Sequence, residues 1–254
     1  MNKLSVVIIT LNEEQKIERC LESIKNIADE IIVVDSFSSD KTEEICMRYN
    51  KVVFIKNKFE NYGQQKSFAI EKASFNWILS IDADEYLSDE LMKEINLLKK
   101  QEPHYHAYYI YRNNLYQGKI LRFGGFGKEK ILRLFDKKYA KISISEVHEK
   151  VISDEKIGLL KNKMIHSSFK SLEHEIEKLN KYTSIYAHEA SIKGKKCSKI
   201  NVVTKFGVKF LFVYLCKLSF LDGYAGFNCS LMNAYYTYLK YAKLYELNQN
   251  KKNN

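Results

Sequence analysis

The sequence predicts an α/β protein: a doubly wound, mostly parallel sheet flanked by helices, with a C-terminal helical extension rich in aromatic and basic residues. Three observations predict it. Apolar, β-branched runs alternate with helix-periodic segments over residues 4–82. Glycine-punctuated alternation follows from about Pro103, and lysine and aromatic residues crowd the chain beyond residue 200.

The elements follow in order. "LSVVIIT" (4–10) is a short β-branched run, the pattern of a strand buried on both faces. "EEQKIERCLESIKNI" places Ile17, Leu21, Ile24 and Ile27 near helical spacing. "EIIVVD" (30–35) reads as a second buried strand, and "SSDKTEEICMRY" opens on capping residues and continues as a helix. "KVVFI" (51–55) is a third strand, "GQQKSFAIEKA" a helix and "WILSID" (77–82) a fourth strand. Strands alternating with helices build a parallel sheet, and such sheets bind ligands at the carboxyl ends of their strands. Thr10, Asn12, Asp35, Ser36, Asp82 and Asp84 all fall at those ends. Farther on, "AYYIYRNNLYQGKILRFGGFGKEKILRLF" alternates and carries Gly118, Gly124, Gly125 and Gly127, which predicts antiparallel strands with tight turns. Residues 171–194 are expected as a helix with Leu172, Ile176, Leu179, Tyr182 and Tyr186 on one face, and 200–245 as helical.

A chain of 254 residues, 45% apolar, can bury a sizeable core, and its single proline argues against long disordered linkers. Five cysteines without a C-x-x-C pair fit reduced thiols, and the N-terminal run lacks the cleavage pattern of a secretory signal. Both point to the cytoplasm. The net charge of +10 is uneven: from Lys193 onward eleven lysines face only Asp222 and Glu246, which leaves about +1 for the first 192 residues. Such a basic tail asks for an anionic partner, whether nucleic acid, membrane or acidic substrate.

"WILSIDADEYLSDEL" (77–91) runs an apolar strand into Asp82, Asp84 and Glu85. Three acids at one strand end repel each other unless something positive sits among them. Period-two alternation puts Asp82 and Asp84 on the same side, where hard oxygen ligands can hold a divalent cation and leave positions open for phosphates. A solvated loop or a helix cap is the plain alternative. Asp35 either caps the next helix, in competition with Ser36, Ser38, Ser39 and Asp40, or bonds a nucleotide base or ribose.

Taken together, "LSVVIITLNEE", "EIIVVDSFSSDKT" and "WILSIDADE" resemble the nucleotide-sugar half of family 2 glycosyltransferases, inverting enzymes of GT-A fold. "GQQKSFAI", "GKILRFGGF", "ILRLFD", "EVHEKV", "EKLNKYTSIYA" and "FLDGYAGF…KYAKL" extend the resemblance to the bacterial subgroup that glucosylates the lipopolysaccharide inner core. The resemblance implies a catalytic domain over 1–195, its nucleotide-sugar half 1–100 and acceptor half 101–195, and a membrane-proximal helical extension over 196–254. It implies that Thr10, Asn12 and Glu13 line the uridine pocket and that Asp35 meets the base. Many members carry a second acid after that aspartate; here Ser36 stands there, as is usual in the subgroup. Asp82 and Asp84 become the D-x-D pair, binding donor ribose and diphosphate through Mg²⁺ or Mn²⁺. Lys66 lies near the diphosphate, or is an ordinary solvated lysine.

The family's usual catalytic aspartate has no counterpart after residue 103, and the best substitute is "SEVHEKV" with Glu146, His148 and Glu149. Inverting transfer needs a carboxylate to take the acceptor proton, and Glu149 is favoured over Glu146. His148 joins the metal shell or orients phosphate; a solvent-facing strand edge is the plain alternative for all three. His166 is a weaker donor-site candidate. The implied donor is a UDP-sugar and the acceptor a glycolipid at an anionic membrane surface, with the protein peripheral on its cytoplasmic face and no nucleic acid involved. A nucleotidyltransferase would show a glycine-rich loop where "TLNEEQK" has none, and a nucleic-acid binder would show a recognisable module.

Overall fold

A computed structural model of the chain describes residues 1, 3–127, 129–143, 150–167 and 171–253. It divides into two compact units, Met1–Asn113 with Glu129–His166, and Asn114–Lys128 with Ser167–Asn254.

In the first unit β1 (Leu4–Thr10), β2 (Glu30–Asp35), β3 (Val52–Lys56) and β4 (Trp77–Asp82) run parallel in the order β3-β2-β1-β4. Four helices accompany them: α1 (Ile17–Ile24), α2 (Thr42–Cys46), α3 (Tyr62–Lys72) and α4 (Asp89–Lys99). Alternation explains the unbroken apolar strands. Leu4, Val6 and Ile8 pack with Ile17, Leu21 and Ile24 of α1 and Leu91 and Ile95 of α4. Val7, Ile32 and Val34 face the other way, toward Ala69 of α3. Both faces are covered, so both sets must be apolar. Asn61 caps α3 by accepting the Gln64 amide, and Ser88 caps α4 by accepting that of Leu91.

Beyond β5 (Glu85–Leu87) the pairing turns antiparallel, as the change of texture near Pro103 predicts. The strands are β6 (Ala107–Tyr116), β7 (Lys119–Ile120), β8 (Glu129–Asp136), β9 (Ala140–Ser143), β10 (Lys150–Ser153) and β11 (Gly158–His166). The sheet continues β4-β8-β6-β11-β5, while β9 and β10 pair separately and β7 pairs with the end of β6.

One irregularity matters for the site. Ala107 pairs with Phe135 and Tyr108 with Leu134, but Tyr109 pairs with Leu132. Arg133 is thus an extra residue on β8, a β-bulge. The core records the slip: Leu134 belongs to the α1 side, whereas Phe135 and Leu132 both belong to the α3 side. Unbroken alternation would have kept Leu132 with Leu134.

The second unit holds α5 (Leu172–Ile192), α6 (Lys199–Leu211) with a π-helical continuation Phe212–Cys216, a short 3₁₀ turn Ser219–Asp222, and α7 (Gly223–Asn253). Two motifs of the sequence meet here. The Asp222 carboxylate accepts the amides of Arg122 and Phe123, each at 2.9 Å, and Lys119 Nζ donates to the Asp222 carbonyl at 2.7 Å. Gly226 lets α7 approach that turn, because a Cβ on it would lie 1.8 Å from the Ser219 carbonyl oxygen.

The helix α5 is found where expected, but its inward face is rotated. Leu172, Ile176 and Tyr182 are exposed, whereas Glu175, Thr183, Ala187 and Ala190 are buried. The reason lies in its partner: Ala187 and Ala190 pack on Leu244 of α7, Tyr186 meets Tyr241, and Lys243 Nζ bonds Asn180, Thr183 and Ser184. These contacts hold α5 within the C-terminal unit. Among the described residues, no helix is long and apolar enough to cross a membrane.

Candidate active site

The loops after β1 and β2 are tied together. Asn12 adopts a left-handed backbone, with φ 54°. Its amide donates to Ser38 Oγ and its Oδ1 accepts the Ser39 amide, both at 2.8 Å, while the Glu13 amide donates to Thr42 Oγ1 at 2.9 Å. Asp35 pairs with Thr10 in register and is fully buried. Its carboxylate accepts the Ser38 amide at 2.7 Å and the Ser38 hydroxyl, which holds a turn rather than a helix start. Asp40 serves α2 instead, accepting the Thr42 amide at 3.0 Å. The Thr10 hydroxyl is buried with no hydrogen-bond partner, a state that costs about 1–3 kcal/mol unless something completes it. Ser36 Oγ accepts Gln65 Nε2 at 3.1 Å, and Gln65 is held in turn by Asn57.

At the end of β4 the three acids are kept apart by cations. Asp82 sits between Lys66 Nζ at 2.9 Å and Arg133 at 2.7 Å. Glu85 is fully buried and takes Arg133 at 2.8 Å and Arg112 at 2.9 Å, with the Asp82 amide donating to its second oxygen at 3.0 Å. Arg112 also pairs with Glu129. Asp84 turns to His166 Nε2 at 3.3 Å, across the β5–β11 pairing that sets His166 opposite Glu85. Burial opposes ionisation of Asp82, but Arg133 and Lys66 outweigh it and hold its carboxyl far below the usual range. Burial likewise opposes the charge on Asp84, and the hydrogen bond from His166 draws its pKa below the ordinary value.

A cleft of about 500 Å³ opens here, lined by Lys66, Asp82, Arg112, Glu129, Lys130 and Arg133 among others. Four cations against two acids make its wall positive, suited to a diphosphate. The D-x-D carboxylates are divided in this arrangement. Asp82 is neutralised by two cations, whereas Asp84 is paired with His166. That pair fits Mg²⁺ or Mn²⁺, which uses few protein ligands and fills its shell with phosphate oxygens and water. Among the described residues there is no cluster of three or more side chains able to hold a metal.

Lys66, expected near the diphosphate or solvated, is buried against Asp82. The His166 imidazole, read as a weaker candidate, is the partner of Asp84. Arg112, Arg133 and Glu85 have no named role in the sequence reading. Its one signal for them is the demand of three clustered acids for a positive partner. Glu146, His148 and Glu149 lie outside the described residues.

A parallel half with acids and cations gathered at the carboxyl ends of its strands carries its cleft where such sheets bind ligands, and comparison with known proteins gives the family. Residues 5–150 match the model of Glycosyl transferase family 2. The chain belongs to that family, and it is a glycosyltransferase. It is 36% identical over 266 residues to an uncharacterized glycosyltransferase of Rickettsia typhi, covering 100% of this chain and 90% of the relative. It is 28% identical over 249 residues to the lipopolysaccharide core biosynthesis glycosyltransferase LpsC of Rhizobium meliloti, covering 96% of this chain and 92% of LpsC. Among solved structures, S. aureus TarS 1–349 in complex with UDP-GlcNAc aligns with a TM-score of 0.46 and 14% identity, over 99% of this chain and 92% of that one.

Proposed function

We propose that the protein transfers a hexose, glucose from UDP-glucose, onto a lipopolysaccharide or lipooligosaccharide core acceptor with inversion at the anomeric carbon. The observation that carries this reading is the positive cleft at the carboxyl end of β4, with Asp84 and His166 standing apart from the clamped Asp82. Thr10, Asn12, Glu13, Asp35 and Ser36 receive the uridine, and the Thr10 hydroxyl gains its missing partner there. Lys66 and Arg133 neutralise the diphosphate, whose oxygens offer them the same charge-assisted bonds that Asp82 does. Asp84 and His166 would hold Mg²⁺ or Mn²⁺, which stabilises the negative charge of the leaving diphosphate.

Glu149, or else Glu146, takes the proton of the acceptor hydroxyl as that oxygen attacks the anomeric carbon, with His148 beside it. Ile142 and Val151, on the strands that flank this segment in the sequence, line the cleft. The name of LpsC supports a core acceptor. The basic C-terminal portion then works at the inner face of the cytoplasmic membrane, where a phosphorylated glycolipid is anchored.

The test is UDP-sugar consumption with and without chelator, paired with calorimetric UDP binding. Turnover should vanish in EDTA and return with Mg²⁺ or Mn²⁺. Asp84→Asn should lose the metal dependence of UDP affinity, whereas Asp82→Asn should keep it. Glu149→Gln should lower kcat by about 10²–10⁴ and leave UDP affinity alone. Full turnover by a metal-stripped enzyme would remove the metal from the reading; an inactive Glu146→Gln beside an active Glu149→Gln would move the base by three residues.

A further inference from the structure

The helix α6 carries apolar side chains on more than one face, between lysines and two neutral polar residues, and only some of them have a partner. Val202, Phe206, Phe210 and Val213 turn toward α7: Val202 and Val213 are buried, and the rings of Phe206 and Phe210 meet Tyr238 and Phe227. Outside those contacts Ile200, Val203, Leu211 and Leu215 stand in solvent, Ile200 at 73% exposure, and exposed Val208 and Phe212 border a groove with Thr237 and Tyr241 of α7. The patch continues through Leu218, Leu221 and Tyr224 around the 3₁₀ turn. Large apolar side chains exposed together, rimmed by lysines, mark a surface that meets another apolar phase. By contrast, much of α7 packs inward, with Ala225, Cys229, Met232, Ala234 and Leu244 buried.

The charge around the patch selects the phase. Residues 190–221 contain seven lysines and no acid, and Asp222, the next acid, is buried. The ammonium groups of Lys205 and Lys217 sit over the Tyr241 and Phe212 rings, so positive charge stands directly beside the apolar side chains. Two copies of this face would bring two such lysine sets together, which repel. An anionic bilayer satisfies both features: acyl chains receive the apolar side chains, and headgroups receive the lysines.

We infer that the outer face of α6, its π-helical continuation and the turn to Tyr224 form a membrane-inserting edge that seats the protein in the headgroup region of an anionic monolayer. This rests on the glycolipid-transfer reading above and deepens it by assigning the surface. The full chain should float with phosphatidylcholine vesicles containing phosphatidylglycerol, and far less with phosphatidylcholine alone. Leu211→Ser with Leu215→Ser should weaken partitioning at least about tenfold. Lys199→Gln should weaken it about fivefold. A Leu211→Trp variant should be quenched by lipids brominated on the acyl chain, above the signal from Trp77. Calorimetric UDP binding should be unchanged in every variant. Binding without quenching would overturn insertion, and so would a stable dimer that Leu211→Ser dissolves while vesicles are ignored. Loss of UDP binding by the unaltered chain would instead count against the glycosyl-transfer reading.

Discussion

Arg133 is the residue on which the acidic cluster turns. It bridges Asp82 and Glu85, two carboxylates that would otherwise repel at the end of β4. Arg133→Met should cost about 3–5 kcal/mol in urea unfolding, because buried Glu85 would keep only Arg112. Adding Glu85→Gln should recover part of that loss, and the double-mutant cycle measures the coupling. An additive pair would show that the bridge contributes nothing of its own. The acids were legible in the sequence because they stand at a strand end, and Lys66 because it stands in the helical stretch "GQQKSFAI". Arg133 was not, because alternation assigns sides only in an unbroken ladder, and the bulge falls on this residue. The pairing of His166 with Asp84 is hard to read from sequence for a related reason. The two are more than eighty positions apart in sequence and meet only through the β5–β11 pairing.

At the scale of elements, the four parallel strands were legible because burial on both faces leaves an unmistakable apolar run. The inward face of α5 was not, because small residues and a buried acid won over its large apolar stripe. Glu175 is taken in by the Tyr116 hydroxyl at 2.8 Å, and Ala187 and Ala190 allow the close approach that Leu172 or Ile176 would block. The same economy of space governs the start of α7. Gly226→Ala would force a methyl group into the Ser219 carbonyl, which is backbone and cannot swing away. A loss of about 1–3 kcal/mol or more is expected, read as a lower urea midpoint. Gly207→Ala, on α6 where a Cβ meets nothing, should be neutral or stabilising.

For the whole molecule the titrating groups set the response to acid. Asp29, Glu30, Asp82 and Asp84 are each opposed by burial and each drawn below their ordinary pKa by hydrogen bonds or cations. The folded state therefore binds fewer protons than the unfolded one, and the stability they lend is present above about pH 4.5 and lost as pH falls through their folded values. Glu175 has the opposite sign: burial raises its pKa above 4.5, outweighing the Tyr116 hydrogen bond. Its contribution is full below the unfolded value and declines as pH rises through the folded one. Urea midpoints should fall steeply below pH 4, and Glu175→Gln should raise the midpoint at pH 7 relative to pH 4. A Glu175→Gln difference that is flat across that range would contradict the sign given to this group.

Strand β8 keeps two rhythms, and the change of beat falls on a guanidinium. Residues on either side of Arg133 obey opposite parities, so an even-odd map drawn from Asp136 backward sends Leu132 to the wrong layer. Any chimera that imports this strand from a homologue without the extra residue would invert the orientation of everything from Glu129 to Leu132. The graft would look conservative on paper, position by position, and would turn the wall of the cleft inside out.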